Sequence, residues 1–240
     1  MPKPILICAN RKDVAPRVIT VGDPKRTEQL AALLSGAKVV SNSRGYLTCT
    51  GHYKDKLITI ATHGIGGPSA AIVFEELRML GAKSVVRLGT SGAMIRSLKR
   101  GDFIIPTGAA HAGGSLAEYV SDGVLPPVPN FGLTSRLIEG CVAGHLRFRA
   151  GLIFTTDAFY GENQNFLRNW AARGVIGVDM ECATLFTLGS IRGFKTASLL
   201  IVSDNLAVKK EKEILGAKEL KNSVEKAGKL VLAALVAEPT

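Results

Sequence analysis

Short apolar runs with strand periodicity alternate with amphipathic helical runs along the whole chain, and this alternation constrains the fold most. Arg17 to Val21 reads as a strand and runs into 22-GDPKRTEQLAALL-34. There Asp23 can cap a helix and Pro24 takes the first helical position. Lys38 to Asn42, Gly45 to His52 and Lys56 to His63 read as a set of strands. A glycine-rich turn, 64-GIGGPS-69, precedes a helix that puts Ala70, Val73, Phe74, Leu77 and Leu80 on one face and stops at Gly81. Ser84 to Leu88 is the next strand, followed by the small, turn-prone 89-GTSG-92. Phe103 to Thr107 and Leu146 to Thr155 read as further strands, and Ala112 to Phe131 as loop. Gln164 to Arg173 and Glu181 to Ile191 read as helices. Ala197 to Val202 reads as a strand delivering Ser203, Asp204 and Asn205 at its end, and a long helix follows. Mixed strand and helix order predicts an α/β fold, a three-layer α/β/α sandwich with a mixed central sheet. Its site is expected at the carboxyl edge of the strands.

The 240 residues suit a single domain, 1–240, large enough to bury a core without disulfides. No apolar run reaches the ~18 residues of a membrane helix. The block Ile5 to Ala9 is too short for a signal sequence, so a cytoplasmic location is expected. Cys8, Cys49, Cys141 and Cys182 are scattered, which predicts free, buried thiols over a zinc or redox motif. The chain has only two glutamines, a hint of a thermophilic source. A formal net charge of +10 favours anionic partners. Much of it lies in 209-KKEKEILGAKELKNSVEKAGK-229, where Leu220, Val224, Ala227 and Val231 repeat at helical spacing and the charges between them read as a solvated helix face. No aromatics interleave with these lysines, which argues against nucleic acid.

Three charged positions interrupt apolar runs. In 83-KSVVRLGTSGAM-94, Arg87 stands inside a strand and needs an anion: a bound phosphate, or a carboxylate of the chain. Gly22, at a helix start, offers free amides to such an anion, and Arg26 and Thr90 can add donors. Arg26 taken alone reads better as a surface arginine. In 176-IGVDMECATLF-186, Glu181 sits at a strand-to-helix corner, where it can accept from two sugar hydroxyls beside the apolar Met180. Asp179 is either a second acceptor or the helix cap. Asp204 is either a general acid at a pocket wall or an Asx turn closing its strand. His52, His63, His111 and His145 lack metal-ligand spacing, so core or surface roles are expected and no metal is.

These pieces resemble the hexameric type of nucleoside phosphorylase. The anchors are 21-VGDPKR-26, 44-RGYLTCTG-51, 62-THGIGGPS-69, 87-RLGTSGA-93, 156-TDAFY-160, 178-VDMECA-183 and 202-VSDN-205. The chain resembles in particular the archaeal methylthioadenosine and purine phosphorylases. The resemblance implies that Gly22, Arg26, Arg87 and Thr90 hold phosphate, with Arg44 reaching in from a neighbouring subunit. It implies that Met180 and Glu181 hold the ribose, that Phe159 and Ser203 lie at the base, and that Asp204 protonates it. It also implies a hexamer built as a trimer of dimers with shared sites, and inorganic phosphate as co-substrate without any cofactor. A hydrolytic nucleosidase, a uridine phosphorylase and a noncatalytic binder of nucleosides or nucleic acid are the alternatives.

Three positions depart from the pattern. Pro4 stands where many relatives place a histidine for the ribose 5′ end. Asp179 replaces the usual Glu. Between Asn205 and Glu219 there are lysines but no arginine to assist Asp204. The stretch 161-GENQNF-166 offers Asn163 and Asn165 in place of the Gln-x-Arg by which uridine phosphorylases read a pyrimidine, which favours purines.

Overall fold

The five residues RVITV are β-branched or, in Arg17, able to reach out with a long stem, and all five are buried as the strand β1 (Arg17–Val21). In the computed structural model, which describes residues 3–112, 114–161, 163–208 and 214–238, β1 lies within a mixed sheet. It is flanked by β4 (Lys56–Thr62) and β5 (Ser84–Ala93), both parallel to it. Beyond β4 run β3 (Tyr46–Tyr53) and β2 (Ser35–Ser43), each antiparallel to its neighbour.

The other half of the sheet closes on itself. Past its first residues, β5 pairs at Gly92 and Ala93 with β8 (Val175–Asp179) on the same edge. Then follow β7 (Phe148–Thr155), β6 (Phe103–His111) and β9 (Lys195–Asn205). β9 returns to pair along the whole of β5, from Ser84 opposite Lys195 to Ala93 opposite Asn205. The expected mixed central sheet is present; the curl that joins β9 to β5 was not foreseen.

Helices cover both faces. On one, α2 (Gly67–Met79) and α6 (Cys182–Arg192) bury Val73, Phe74, Leu77, Leu185 and Phe186. On the other, α1 (Pro24–Ala31), α4 (Phe131–Ala143) and α7 (Ala217–Val236) bury Leu30, Leu137, Val231 and Leu235. Short α3 (Leu116–Tyr119) and α5 (Gln164–Ala171) complete the set among the described residues. As expected, Asp23 caps α1, accepting from the Lys25 amide at 2.9 Å. Arg17 donates to the Leu235 and Glu238 carbonyls, which ties β1 to the end of α7 where a cation suits the helix dipole.

Three readings are corrected. The segment 89–92 is strand, not turn: its partner β9 accompanies it throughout, with one bulge between Ser91 and Gly92. Ladder hydrogen bonds inside the sheet override the turn preference of small residues. Helix α4 was not assigned; Asn130 caps it, accepting from Leu133 at 3.0 Å. All four cysteines are free, but Cys8 is exposed where a buried thiol was expected.

Candidate functional site

The carboxyl ends of β1, β4, β5, β8 and β9 gather the charged residues singled out above. β5 delivers Arg87, which is 4% exposed, and its guanidinium folds back over Gly89. A Cβ at Gly89 would overlap that guanidinium, so glycine is what lets the arginine lie along its own strand. β8 ends at Asp179, and the chain turns through half-buried Met180 to Glu181, whose carboxylate points back to Arg87.

Of the two anions open to Arg87, the structure supplies a carboxylate of the chain, and Glu181, expected to wait for a sugar, is its partner. The Arg87 Nη2 donates to Glu181 Oε2, and Nη1 lies 3.2 Å from Asp179 Oδ2. The reason is cost: each of these groups is almost wholly buried, and an unpaired ion there would lose several kcal/mol of hydration. The second Glu181 oxygen accepts from the Gly66 amide at 2.7 Å. Asp179 resolves as the helix cap. Its Oδ2 accepts from the amides of Glu181 and Cys182 at 3.2 and 2.9 Å, and its Oδ1 accepts from Thr155 Oγ1 at 2.7 Å.

Electrostatics follow from this packing. Burial pushes Glu181 up, but Arg87, His63 and the Gly66 amide together hold it below its usual value. Burial dominates at Asp179 and leaves it raised despite Arg87. At Arg87 burial works against the charge, and Glu181, Cys182 and Asp179 outweigh it, so the guanidinium is held above its usual value. Arg26 is lowered, by burial first and also by repulsion from Arg87, which places it within reach of the same cluster. Among the described residues the Arg87 Nε is a buried donor with no hydrogen-bond partner, so the donor set is not saturated.

Ser203 and Asp204 lie one strand over, on β9. Asp204 stands opposite Gly92 in the β5–β9 ladder, and its Oδ2 would be 3.4 Å from a Cβ there. Ser203 Oγ donates to Asp204 Oδ1 at 2.7 Å. The Asx turn considered for Asp204 belongs instead to Asn205, whose Oδ1 accepts from the Ala207 amide at 2.9 Å. Thr90 is half-buried on the same strand as Gly92. Arg44 is exposed at the tip of the β2–β3 hairpin, where it and Gly45 take φ of 54° and 85°. Phe159 is exposed in a single 3₁₀ turn, its ring 5.1 Å from that of Tyr160. A cavity of about 220 Å³ lined by His111, Ser115, Thr155, Asp157 and Thr184 adjoins the site through Thr155. The lysines after Asn205 at 209, 210 and 212 lie outside the described residues.

Sequence reasoning missed two members. His63, expected in a core or surface role, is fully buried within the site, and the Gly66 amide holds Glu181. No spacing in the sequence sets His63 apart from a histidine of the core. Among the described residues no cluster of His, Cys, Asp or Glu suits a metal ion, and no helix is long and apolar enough to cross a membrane.

A mixed α/β sheet with its ionic groups collected at the carboxyl ends of central strands defines a protein that binds small polar ligands at that edge. The chain belongs to the phosphorylase superfamily, whose family profile matches residues 16–237. It is 32% identical over 229 residues to a guanosine phosphorylase of Halorubrum lacusprofundi, covering 94% of this chain and 95% of the relative. It is 35% identical over 204 residues to a uridine phosphorylase of Treponema pallidum, covering 80% and 79%. The crystal structure of purine nucleoside phosphorylase from Toxoplasma gondii in complex with immucillin-H superposes with a TM-score of 0.89 at 28% identity, covering 98% of this chain and 96% of that one. The relatives thus carry names from both purine and pyrimidine chemistry.

Proposed function

We propose that this chain is a purine nucleoside phosphorylase, a pentosyltransferase that cleaves a purine nucleoside with inorganic phosphate to free base and ribose 1-phosphate. The observation that carries the reading is the Arg87–Glu181 pair: one group suited to an oxyanion and one suited to a sugar diol, held in contact at the sheet edge. In this reading phosphate draws on Gly22, Arg26, Arg87 and Thr90, with Arg44 supplied by a neighbouring subunit. Glu181 and Met180 hold the ribose.

The chemistry balances without a cofactor. A phosphate oxygen forms a bond to the anomeric carbon as the glycosidic C–N bond breaks, and the electron pair of that bond goes to the base. Asp204 gives a proton to the purine ring nitrogen, which neutralises the charge left there, a contribution of roughly 10²–10⁴ in rate. Phosphate beside the anomeric carbon stabilises the oxocarbenium-like ribose before capturing it. Ser203 donates to one Asp204 oxygen, which leaves Oδ2 on the Gly92 side for the base.

Purine is favoured over uridine because Asn163 and Asn165 are engaged locally. Asn163 Oδ1 accepts from the amides of Asn165 and Phe166 as the cap of α5, and Asn165 Oδ1 accepts from Arg168 at 2.6 Å. Neither amide oxygen is aimed outward to read a pyrimidine edge. Pro4, in place of a polar 5′ partner, favours an apolar 5′ group such as methylthio. The exposed Arg44 hairpin supports sites shared between subunits of a hexamer.

The test is a panel of inosine, guanosine, adenosine, methylthioadenosine and uridine, each with and without phosphate. Base release from the purines that requires phosphate supports the reading. Equal release without phosphate makes the protein a nucleosidase, and preference for uridine overturns the purine assignment.

A further inference from the structure

Asn205 ends β9 directly after Asp204, is fully buried, and has no role in the scheme above. Its side-chain amide directs both hydrogens at one turn: Nδ2 donates to the carbonyls of Ile95 and Leu98, at 3.0 and 2.6 Å. Its Oδ1 accepts from the Ala207 amide at 2.9 Å. A side-chain amide offers two donor hydrogens and one acceptor oxygen, so every polar group of Asn205 is engaged. The turn it grips follows β5, the strand that pairs with β9. One side chain therefore fastens the carboxyl end of β9 to the carboxyl end of β5.

What is held there is an irregular piece of strand. Val202 stands opposite Ser91 but Asp204 stands opposite Gly92, so Ser203 is one residue more than β5 matches. Such a bulge reverses the alternation of side chains beyond it and re-aims the next one. Without it Ser203 would face Gly92. With it Asp204 does, its Oδ2 3.4 Å from where a Cβ would stand. A bulge disrupts the ladder locally, so the strand needs other support on both sides. Before it, the Val202 amide donates to the Asp102 carbonyl and the Val202 carbonyl accepts from the Gly101 amide, both at 2.9 Å. After it, the Leu206 amide donates to the Ala93 carbonyl at 2.9 Å, and Asn205 adds its own bonds. Leu206 lies inside the turn that Asn205 closes, and its Cδ1 would be 3.1 Å from the same Cβ at Gly92. The residues on either side of Asn205 thus meet at one gap, over Gly92.

From this geometry we infer that Asn205 is a positioning residue: it directs the Asp204 carboxyl toward the base by fixing the strand end that carries it. The inference rests on the reading of Asp204 as general acid proposed above. The Asn205 side chain is wholly buried, so it acts through Asp204 and not on the substrate. Ser203 and Asn205 divide the work. Ser203 Oγ holds one Asp204 oxygen at 2.7 Å and so sets how the carboxyl is turned, whereas Asn205 sets where the backbone beneath it sits. Proton transfer needs heavy atoms within roughly 2.6–3.2 Å, so a shift of about 1 Å in that backbone takes the acid out of reach.

The test separates loss of the acid from loss of the site. Methylation of a purine nucleoside at N7 puts a fixed positive charge on the base, which then departs as a neutral molecule without taking a proton. Whichever of guanosine and adenosine the native chain cleaves with phosphate is compared with its N7-methylated form, in the native protein, Asn205→Ala and Asp204→Asn. In Asn205→Ala, kcat for the unmethylated nucleoside is expected to fall about ten- to a hundredfold, with kcat for the methylated form within about threefold of native and the phosphate KM unchanged. Asp204→Asn is expected to show the same split, and a larger one. Asn205→Ser keeps one hydrogen-bonding hydroxyl at the position; it is expected to lie between native and Asn205→Ala, and it carries the test if the alanine variant does not fold. An equal fall on both substrates, or no fall on either, overturns the inference, and leaves the acid reading standing where Asp204→Asn still shows the split. A native protein that cleaves neither nucleoside with phosphate, or an Asp204→Asn variant without the split, overturns that reading and this inference with it.

Discussion

Replacing Arg87 with methionine isolates the buried cluster. The methionine fills most of the arginine stem's volume but leaves Asp179 and Glu181, each 4% exposed, without their cation. Removing one partner from a buried ion pair costs about 3–5 kcal/mol, because the remaining charge keeps its desolvation penalty and loses its attraction. For a chain of this size 1 kcal/mol moves the melting temperature by roughly 2–4 °C, so Arg87→Met should melt about 10 °C lower. The loss should also depend on pH, with a definite sign. In the native chain Arg87 holds Glu181 below its usual value, so that carboxylate's stabilisation is present above the unfolded pKa and fades only as pH falls through the lower folded one. Without Arg87, burial and the mutual repulsion of the two carboxylates are opposed only by their remaining hydrogen bonds and His63, and both carboxylates move upward. The folded variant then binds protons more readily than its unfolded chain, and its stability drops as pH climbs above the ordinary carboxylate range. The gap between native and variant should therefore be larger near pH 8 than near pH 5. Thermal unfolding at fixed protein concentration reads both effects. Adding Glu181→Gln to Arg87→Met removes one of the two like charges and should recover part of the loss. Equal melting temperatures, or a gap that narrows as pH rises, would refute the reasoning.

Asp204→Asn keeps the side chain's size and its contact with Ser203 but cannot deliver a proton; turnover of a purine nucleoside should fall roughly 10²–10⁴-fold with nucleoside KM little changed. Glu181→Gln exchanges a charged acceptor for a neutral one and should lower kcat/KM roughly 10–100-fold, as steady-state kinetics would show. Gly89→Ala places a methyl where the Arg87 guanidinium lies; it should raise the phosphate KM more than the nucleoside KM and destabilise by about 1–3 kcal/mol in urea unfolding.

Much of the framework was legible because the period of hydrophobicity changes cleanly between elements. Arg17 to Val21 emerged as a strand with the expected ends, and Asp23 capped the helix that Pro24 begins. Residues 89–92 were misread because small residues report local freedom, whereas their strand conformation is imposed by β9, more than a hundred residues away in sequence. Likewise, the strand-end placement of Glu181 and Asp204 followed from the sequence, but Arg87 lies inside β5, and its pairing with Glu181 and Asp179 did not follow. Which of two buried charges meets a ligand and which meets the other is decided by three-dimensional closure, here the turn of β8 back along β5. His63 escaped because a lone histidine beside glycine has no distinguishing spacing. Its meaning lies in what surrounds it.

The central claim is that Arg87 and Glu181 are partners only until ligands arrive. A crystal structure of the protein with sulfate bound tests it most directly. The account predicts an anion held by Arg87, Arg26 and the amides at Gly22, with the Arg87–Glu181 contact opened. Sulfate absent from that recess, with Arg87 still seated on Glu181 and Asp179, would contradict it.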